Sequence, residues 1–156
     1  MTRALYIFDL DGTLALIEHR LHFIQGRPKD WRSFFAACVD DAPNPAVIET
    51  FKALRKSAEV WIWSGRSDEV REQTTAWLYK HGLIHPYWNP LRAPEALRMR
   101  KAGDYRDDVI VKAEWLAEIE PPEYKRLTAV FDDRARVVEM WRSNDVCCFQ
   151  VAPGEF

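Results

Sequence analysis

The run Ala4-Leu5-Tyr6-Ile7-Phe8 passes directly into Asp9-Leu10-Asp11-Gly12-Thr13-Leu14. An apolar stretch of that length reads as a buried strand, and Gly12 marks a sharp turn just beyond it. Side chains at i and i+2 of an extended segment point to the same side, so Asp9 and Asp11 face one pocket at the strand's carboxyl end. Two carboxylates held that close repel each other. The arrangement makes chemical sense where a cation or a proton transfer uses it.

The same pattern recurs along the chain. Trp61-Ile62-Trp63 leads into Ser64-Gly65-Arg66-Ser67, and Ala129-Val130-Phe131 leads into Asp132-Asp133-Arg134. Between these runs lie amphipathic stretches, the alternation of an α/β chain with a mostly parallel central sheet. Strands are expected near Leu5–Phe8, Val60–Trp63, Leu127–Phe131 and Cys147–Val151, with a weaker one near Ala96–Met99. Helices are expected near Ala46–Ser57, Glu69–His81, Val109–Glu118 and Ala135–Ser143. Asn44-Pro45 supplies a cap and a first-turn proline for the first helix. Gly82 closes the second, and Pro121-Pro122 ends the third. Residues from about 15 to 43 break the alternation. They read as short helices over Leu16–Phe23 and Trp31–Val39, an insertion after the first strand that covers the pocket as a small cap.

A length of 156 residues suits one domain, here residues 1–156 with the insertion inside it. The formal net charge of −2 provides no global attraction to nucleic acid, so such a partner needs a local basic patch. No apolar stretch approaches the roughly 18 residues of a membrane span, and the N-terminus enters a strand without a secretory leader. The three cysteines, Cys38, Cys147 and Cys148, are an odd count with two adjacent, a poor disulfide framework. A reducing cytoplasm and buried, inert thiols are the expectation.

Sites in open parallel sheets form outside the carboxyl ends of strands. One pocket is therefore expected to gather Asp9, Asp11, Ser64, Asp132 and Asp133. Four carboxylates in a cleft call for a divalent cation, and all-oxygen donors that leave room for water and phosphate suit magnesium. Asp9 is placed to attack phosphorus and form an aspartyl-phosphate. Asp11 is placed to protonate the leaving oxygen and then to activate water. Ser64 and the Gly65 N–H are positioned to bind phosphoryl oxygens. Lys112 lies near the start of its helix, against the helix dipole, which gives its charge a task.

Taken together, these residues resemble the haloacid dehalogenase superfamily of phosphotransferases. Its D-x-D-G-T motif is matched by Asp9 to Thr13, its small hydroxyl by Ser64, its lysine by Lys112 or else Lys101, and its paired acids by Asp132 and Asp133. The resemblance implies a three-layer Rossmann-like fold. It also implies a metal held by Asp9, the Asp11 main chain and Asp132, with Asp133 in support. Ser64-Gly65-Arg66, Arg106-Asp107-Asp108-Val109, Asp132-Asp133-Arg134 and Val137 to Arg142 look like the 3′-phosphatase domain of bacteriophage polynucleotide kinase-phosphatase, as does the terminal Gln150 to Phe156. The expected reaction is then removal of a 3′-phosphate from DNA or RNA ends, with Thr13, Gly65, Arg66, Lys101 and Arg106 as substrate contacts. A nucleotide or other small-molecule phosphatase is the alternative, and a phospho-accepting receiver is a more remote one. No G-x-x-x-x-G-K-[ST] loop occurs, so neither a kinase half nor ATP is expected.

Arg66, Arg92, Arg98, Arg100, Lys101 and Arg106 form a basic set suited to the phosphates of a nucleic-acid end. Trp31 and Trp88 are candidates for stacking on a base. His19 and His22, at helical spacing, suit solvent or substrate contact better than a metal.

Overall fold

The computed structural model describes residues 2–85, 87 and 93–154. Trp88 and Arg92 lie outside the described residues, as do Glu155 and Phe156 at the end of the terminal motif.

Strand β1 is Leu5–Phe8, as its apolar run requires. After a two-residue strand β2 (Ala15–Leu16), the chain makes short helices α1 (His22–Gln25) and α2 (Trp31–Ala36) and returns through β3 (Ala42–Pro43). β2 and β3 pair antiparallel, so the whole excursion leaves and rejoins the body at one point. Then follow α3 (Pro45–Arg55), β4 (Glu59–Ser67), α4 (Arg71–Lys80), β5 (Leu97–Arg100), α5 (Asp108–Ala117), α6 (Pro121–Arg126), β6 (Leu127–Asp132), α7 (Ala135–Ser143) and β7 (Cys148–Gln150).

The five long-range strands form one sheet in the order β5-β4-β1-β6-β7, and each neighbouring pair runs parallel. β1 is central, with β4 on one side and β6 on the other. The chain builds outward from β1 to β5 and then crosses back to β6, which makes the carboxyl end of β1 the switch point where an α/β site belongs. Alternation along the strands divides the core in two. Phe8 and Ile62 pack with Phe51, Trp77 and Leu78 on one face, while Leu5, Ile7, Trp61 and Trp63 pack with Val111, Trp115, Val138 and Trp141 on the other. Helices thus cover both faces, giving three layers.

Several expectations need adjustment. β4 runs on through Ser67, so Ser64-Gly65-Arg66-Ser67 belongs to the strand, and its pairing with β5 slips between Ser64 and Ser67. Pro121 and Pro122 do not end α5; they open α6, where a missing N–H costs nothing in the first turn. The inserted helices are shorter than expected and partly 3₁₀, with turns at Glu18–Arg20 and Ala37–Asp40. Asn44 occupies the cap position of α3 but makes no side-chain cap bond. Cys38 and Cys148 are buried, whereas Cys147 is exposed. Burial, reinforced by Asp132, pushes the Cys148 thiol up to about 12, which leaves it inert. None of the described helices is long and apolar enough to cross a membrane.

Candidate active site

A cavity of about 840 Å³ opens at the carboxyl end of the sheet. Its walls include Asp9 and Asp11 from the β1 turn, Gly65 and Arg66 from β4, Lys112 from α5, and Asp132 and Asp133 from the end of β6. Gly12 makes the turn possible with φ +83°, and a Cβ there would overlap the Asp133 carboxylate. The turn is tied down as Asp9 N–H donates to the Phe131 carbonyl at 2.9 Å.

Asp9, Asp132 and Asp133 are all buried, and one carboxylate oxygen from each lies within 4.8 Å of the others. The Lys112 ammonium sits among them, donating to Asp9 Oδ1 and to Asp132 Oδ2, both at 2.8 Å. Thr13 Oγ1 donates to Asp9 Oδ2 at 3.2 Å. Burial disfavours the charged lysine, but Asp132 and Asp9 outweigh it and hold Lys112 protonated above its ordinary range. Burial also pushes Asp9 up, against Lys112 and with help from Asp132 and Asp133. Asp133 is pushed to about 6, first by burial and then by Asp132. One ammonium among three buried carboxylates leaves negative charge uncompensated. The donors are all hard oxygens, so the residues present fit a magnesium ion.

Asp11 points to different partners. Its Oδ1 accepts from Arg20 Nη2 at 2.9 Å and from Arg66 Nε at 3.1 Å, and Arg66 Nη2 closes on the same oxygen. Burial alone would raise its pKa, but Arg66 and then Arg20 hold it down to about 2. Asp41, also buried, locks both arginines: it accepts from Arg20 Nε and Nη2 at 2.7 Å each and from Arg66 Nη2 at 2.9 Å. Arg66 Nη1 further donates to Thr74 Oγ1 at 3.1 Å, and the Trp77 indole donates to the Asp41 carbonyl at 2.8 Å. The two-arginine, two-carboxylate cluster thus ties the insertion to β4 and to the β1 turn.

Arg66 was expected to meet substrate phosphate. The structure instead buries its guanidinium and spends it on Asp11, Asp41 and Thr74. Ser64 is fully buried, and its Oγ accepts the Arg66 N–H at 3.1 Å. Lys112, not Lys101, reaches Asp9 and Asp132; Lys101 is an exposed residue of the cavity rim. Arg106 also lines the rim but pairs with Asp104 at 2.8 Å and Glu114 at 2.7 Å. Arg98 pairs with Glu118 and lies over Trp63 and Trp115, which takes it out of the basic set. Arg100 donates to the Gly65 carbonyl at 2.8 Å and, with Arg134, to Asp108. His19 Nε2 is 2.8 Å from Asp41 Oδ1, and the His22 ring lies against Phe23. Arg20 and Asp41 were not anticipated, and Asp108 was singled out only as part of the Arg106–Val109 resemblance, without a role. Nothing in the sequence separates a buried, paired arginine from a surface one.

The family model of the polynucleotide kinase PNKP phosphatase domain matches residues 3–156. The chain belongs to that family. It is a haloacid dehalogenase-type phosphatase. It is similar to a protein of Autographa californica nuclear polyhedrosis virus described as a bifunctional polynucleotide kinase/RNA ligase, 30% identical over 136 residues that make up 86% of this chain and 17% of the viral one. Among solved structures, a chain of the Pnkp1/Rnl/Hen1 complex is 32% identical with a TM-score of 0.75, over 99% of this chain and 48% of that one. The class C acid phosphatase of Bacillus anthracis shares the fold at 13% identity and a TM-score of 0.65, over 99% of this chain and 68% of that one. The phosphatase therefore spans less than half the length of its viral relative and of the chain in that complex.

Proposed function

We propose that this phosphatase removes 3′-phosphates from polynucleotide ends in a magnesium-dependent reaction through an aspartyl-phosphate on Asp9. The observation that carries the reading is the Asp9–Lys112–Asp132 contact on the cavity wall, with Asp11 lining the same cavity. The substrate class is supported by family membership and by the relatives, whose names concern polynucleotide kinase, RNA ligase and an RNA repair complex.

Asp9, Asp132, Asp133 and the Asp11 main chain would hold the ion. When bound, magnesium supplies positive charge that offsets the phosphoryl oxygens and the carboxylates around them. Lys112 favours the ionised form of Asp9 against the effect of burial and orients its carboxylate. An Asp9 carboxylate oxygen attacks phosphorus, the P–O3′ bond breaks, and the 3′-oxygen takes a proton from Asp11. Water then attacks the same phosphorus, its proton passes to Asp11, and inorganic phosphate leaves as Asp9 is regenerated.

The arginine pair makes Asp11 a carboxylate in the free site, which is the form the second step needs. For the first step Asp11 takes up a proton from solvent as the anionic monoester enters beside it, because that negative charge raises the carboxyl's pKa. Arg20, Arg66 and Asp41 fix the carboxylate in place while this happens.

The test is turnover of a 3′-phosphorylated oligonucleotide against a nucleoside 3′-monophosphate, with magnesium and with chelator. Faster, salt-sensitive, magnesium-dependent turnover of the oligonucleotide is expected. Equal rates that ignore salt would instead favour a small-molecule phosphatase.

A further inference from the structure

Of the described tryptophans, Trp61, Trp63, Trp77, Trp115 and Trp141 are at most 8% exposed and serve the core, whereas Trp31 is 39% exposed. Trp31 opens α2 in the insertion and lines the cavity that holds Asp9 and Asp11. Its indole is supported from within the insertion. The Phe35 ring lies near-parallel, 5.9 Å away at 26°, and Phe34 meets it edge-on at 5.8 Å. Lys29 Nζ lies 5.4 Å from the ring centroid, and Arg32 lines the same cavity. A tryptophan that only filled space would be covered as the other five are. Here an aromatic ring propped by Phe35 stays partly exposed under the Lys29 ammonium, in a cavity that Arg32 also lines.

We propose that Trp31 is a base-stacking platform that receives a nucleobase from one of the last two nucleotides of the polynucleotide being dephosphorylated. This rests on the polynucleotide reading above and adds to it the residue that tells a polynucleotide from a bare phosphate ester. An indole π-face accepts any base, so the platform is tolerant of sequence. The basic side chains next to it suit the sugar-phosphate backbone that carries the base. No bond is made or broken at Trp31. Its contribution is positional and acts through substrate capture.

The experiment measures kcat/KM of the magnesium-loaded full chain on three 3′-phosphorylated oligonucleotides: one with all bases, one abasic at the last nucleotide, and one abasic at the next to last. The parent is expected to lose about tenfold on one of the two abasic substrates. Trp31→Ala is expected to lose about as much on the fully based substrate, and several-fold less on the substrate that lacks the stacked base. Trp31→Phe, which keeps an aromatic face and the contact with Phe35, should retain most of the parent's preference. A parent indifferent to both abasic positions overturns the platform, whether or not the alanine variant folds. So does a Trp31→Ala loss of the same size on all three substrates, which would make the ring a prop for the insertion alone. A parent that hydrolyses small phosphate esters but no oligonucleotide would sink the polynucleotide reading and the platform together. An active parent without an abasic penalty sinks only the platform.

Discussion

The Lys112 ammonium donates to Asp9 Oδ1 at 2.8 Å across 103 residues of sequence. That bond joins α5 to the β1 turn and places the one buried cation of the acidic cluster against the proposed nucleophile. Replacing it by Lys112→Met should lower kcat by roughly 10²–10³-fold, the range seen when one donor to developing charge is removed. Lys101→Ala, on the exposed rim, should raise KM and change kcat by less than about tenfold. Steady-state kinetics on both variants check this, and a large kcat loss in Lys101→Ala alone would reverse the assignment.

Asp9→Asn should abolish turnover without unfolding the protein. The substitution removes one negative charge from three that crowd together, so the melting temperature is expected to hold or rise while activity disappears. Activity and thermal denaturation measured on one preparation test both halves. Retained turnover would remove Asp9 from the nucleophile role.

Asp11→Asn should slow hydrolysis of an alkyl phosphate more than that of an aryl phosphate, because a phenolate leaves with less help from a proton. The ratio of the two losses is the readout. Equal losses would count against Asp11 as the proton donor.

Asp41 is expected to matter although it performs no chemistry. Asp41→Asn takes away one of the two carboxylates that Arg20 and Arg66 share and should cost roughly 3 kcal/mol of stability, the lower end of what breaking a buried ion pair costs. Activity should fall even well below the melting temperature. Asp40→Asn at the exposed neighbour should shift stability by no more than about 0.5 kcal/mol. Chemical denaturation of the two variants makes the comparison.

The acidic cluster should give the metal-free protein an unusual pH profile. Asp133 has a folded pKa of about 6 against an ordinary value of 3.8. A raised carboxyl pKa favours folding while the group is protonated, so up to about 3 kcal/mol is lost as pH rises from near 4 through 6. Asp9 acts in the same sense. Asp11 acts in the opposite sense and in a separate window. Its depressed value of about 2 stabilises the fold above pH 4 and is lost as pH falls toward 2. Magnesium should therefore raise the melting temperature more at pH 7 than at pH 5, where protons compete for its ligands. Melting curves with magnesium and with chelator across pH 4–8 test this; an equal shift at both pH values would place the ion elsewhere.

The parallel sheet was legible in the sequence because its three central strands, β4, β1 and β6, each carry a short apolar run. Leu5–Phe8 and Ala135–Ser143 fall where they were expected. Boundaries slipped where local rules compete. Two prolines that read as a stop for one helix serve equally as a start for the next, and Ser64-Gly65-Arg66-Ser67 stays in the strand because β4 has a partner in β5.

By itself the sequence determined that acids and a hydroxyl would stand at strand ends, because alternation and turn residues are local properties of the chain. Only the tertiary structure decided which charges they meet. Lys112 is chosen over Lys101 by a contact between distant elements, and Arg66 is withdrawn from the surface by Asp41 and Asp11, 25 and 55 residues away. Arg20 becomes structural by being buried. The letters give each side chain's chemistry. Whether a charge is solvated or must find a partner depends on desolvation, and desolvation exists only once the chain has closed around it.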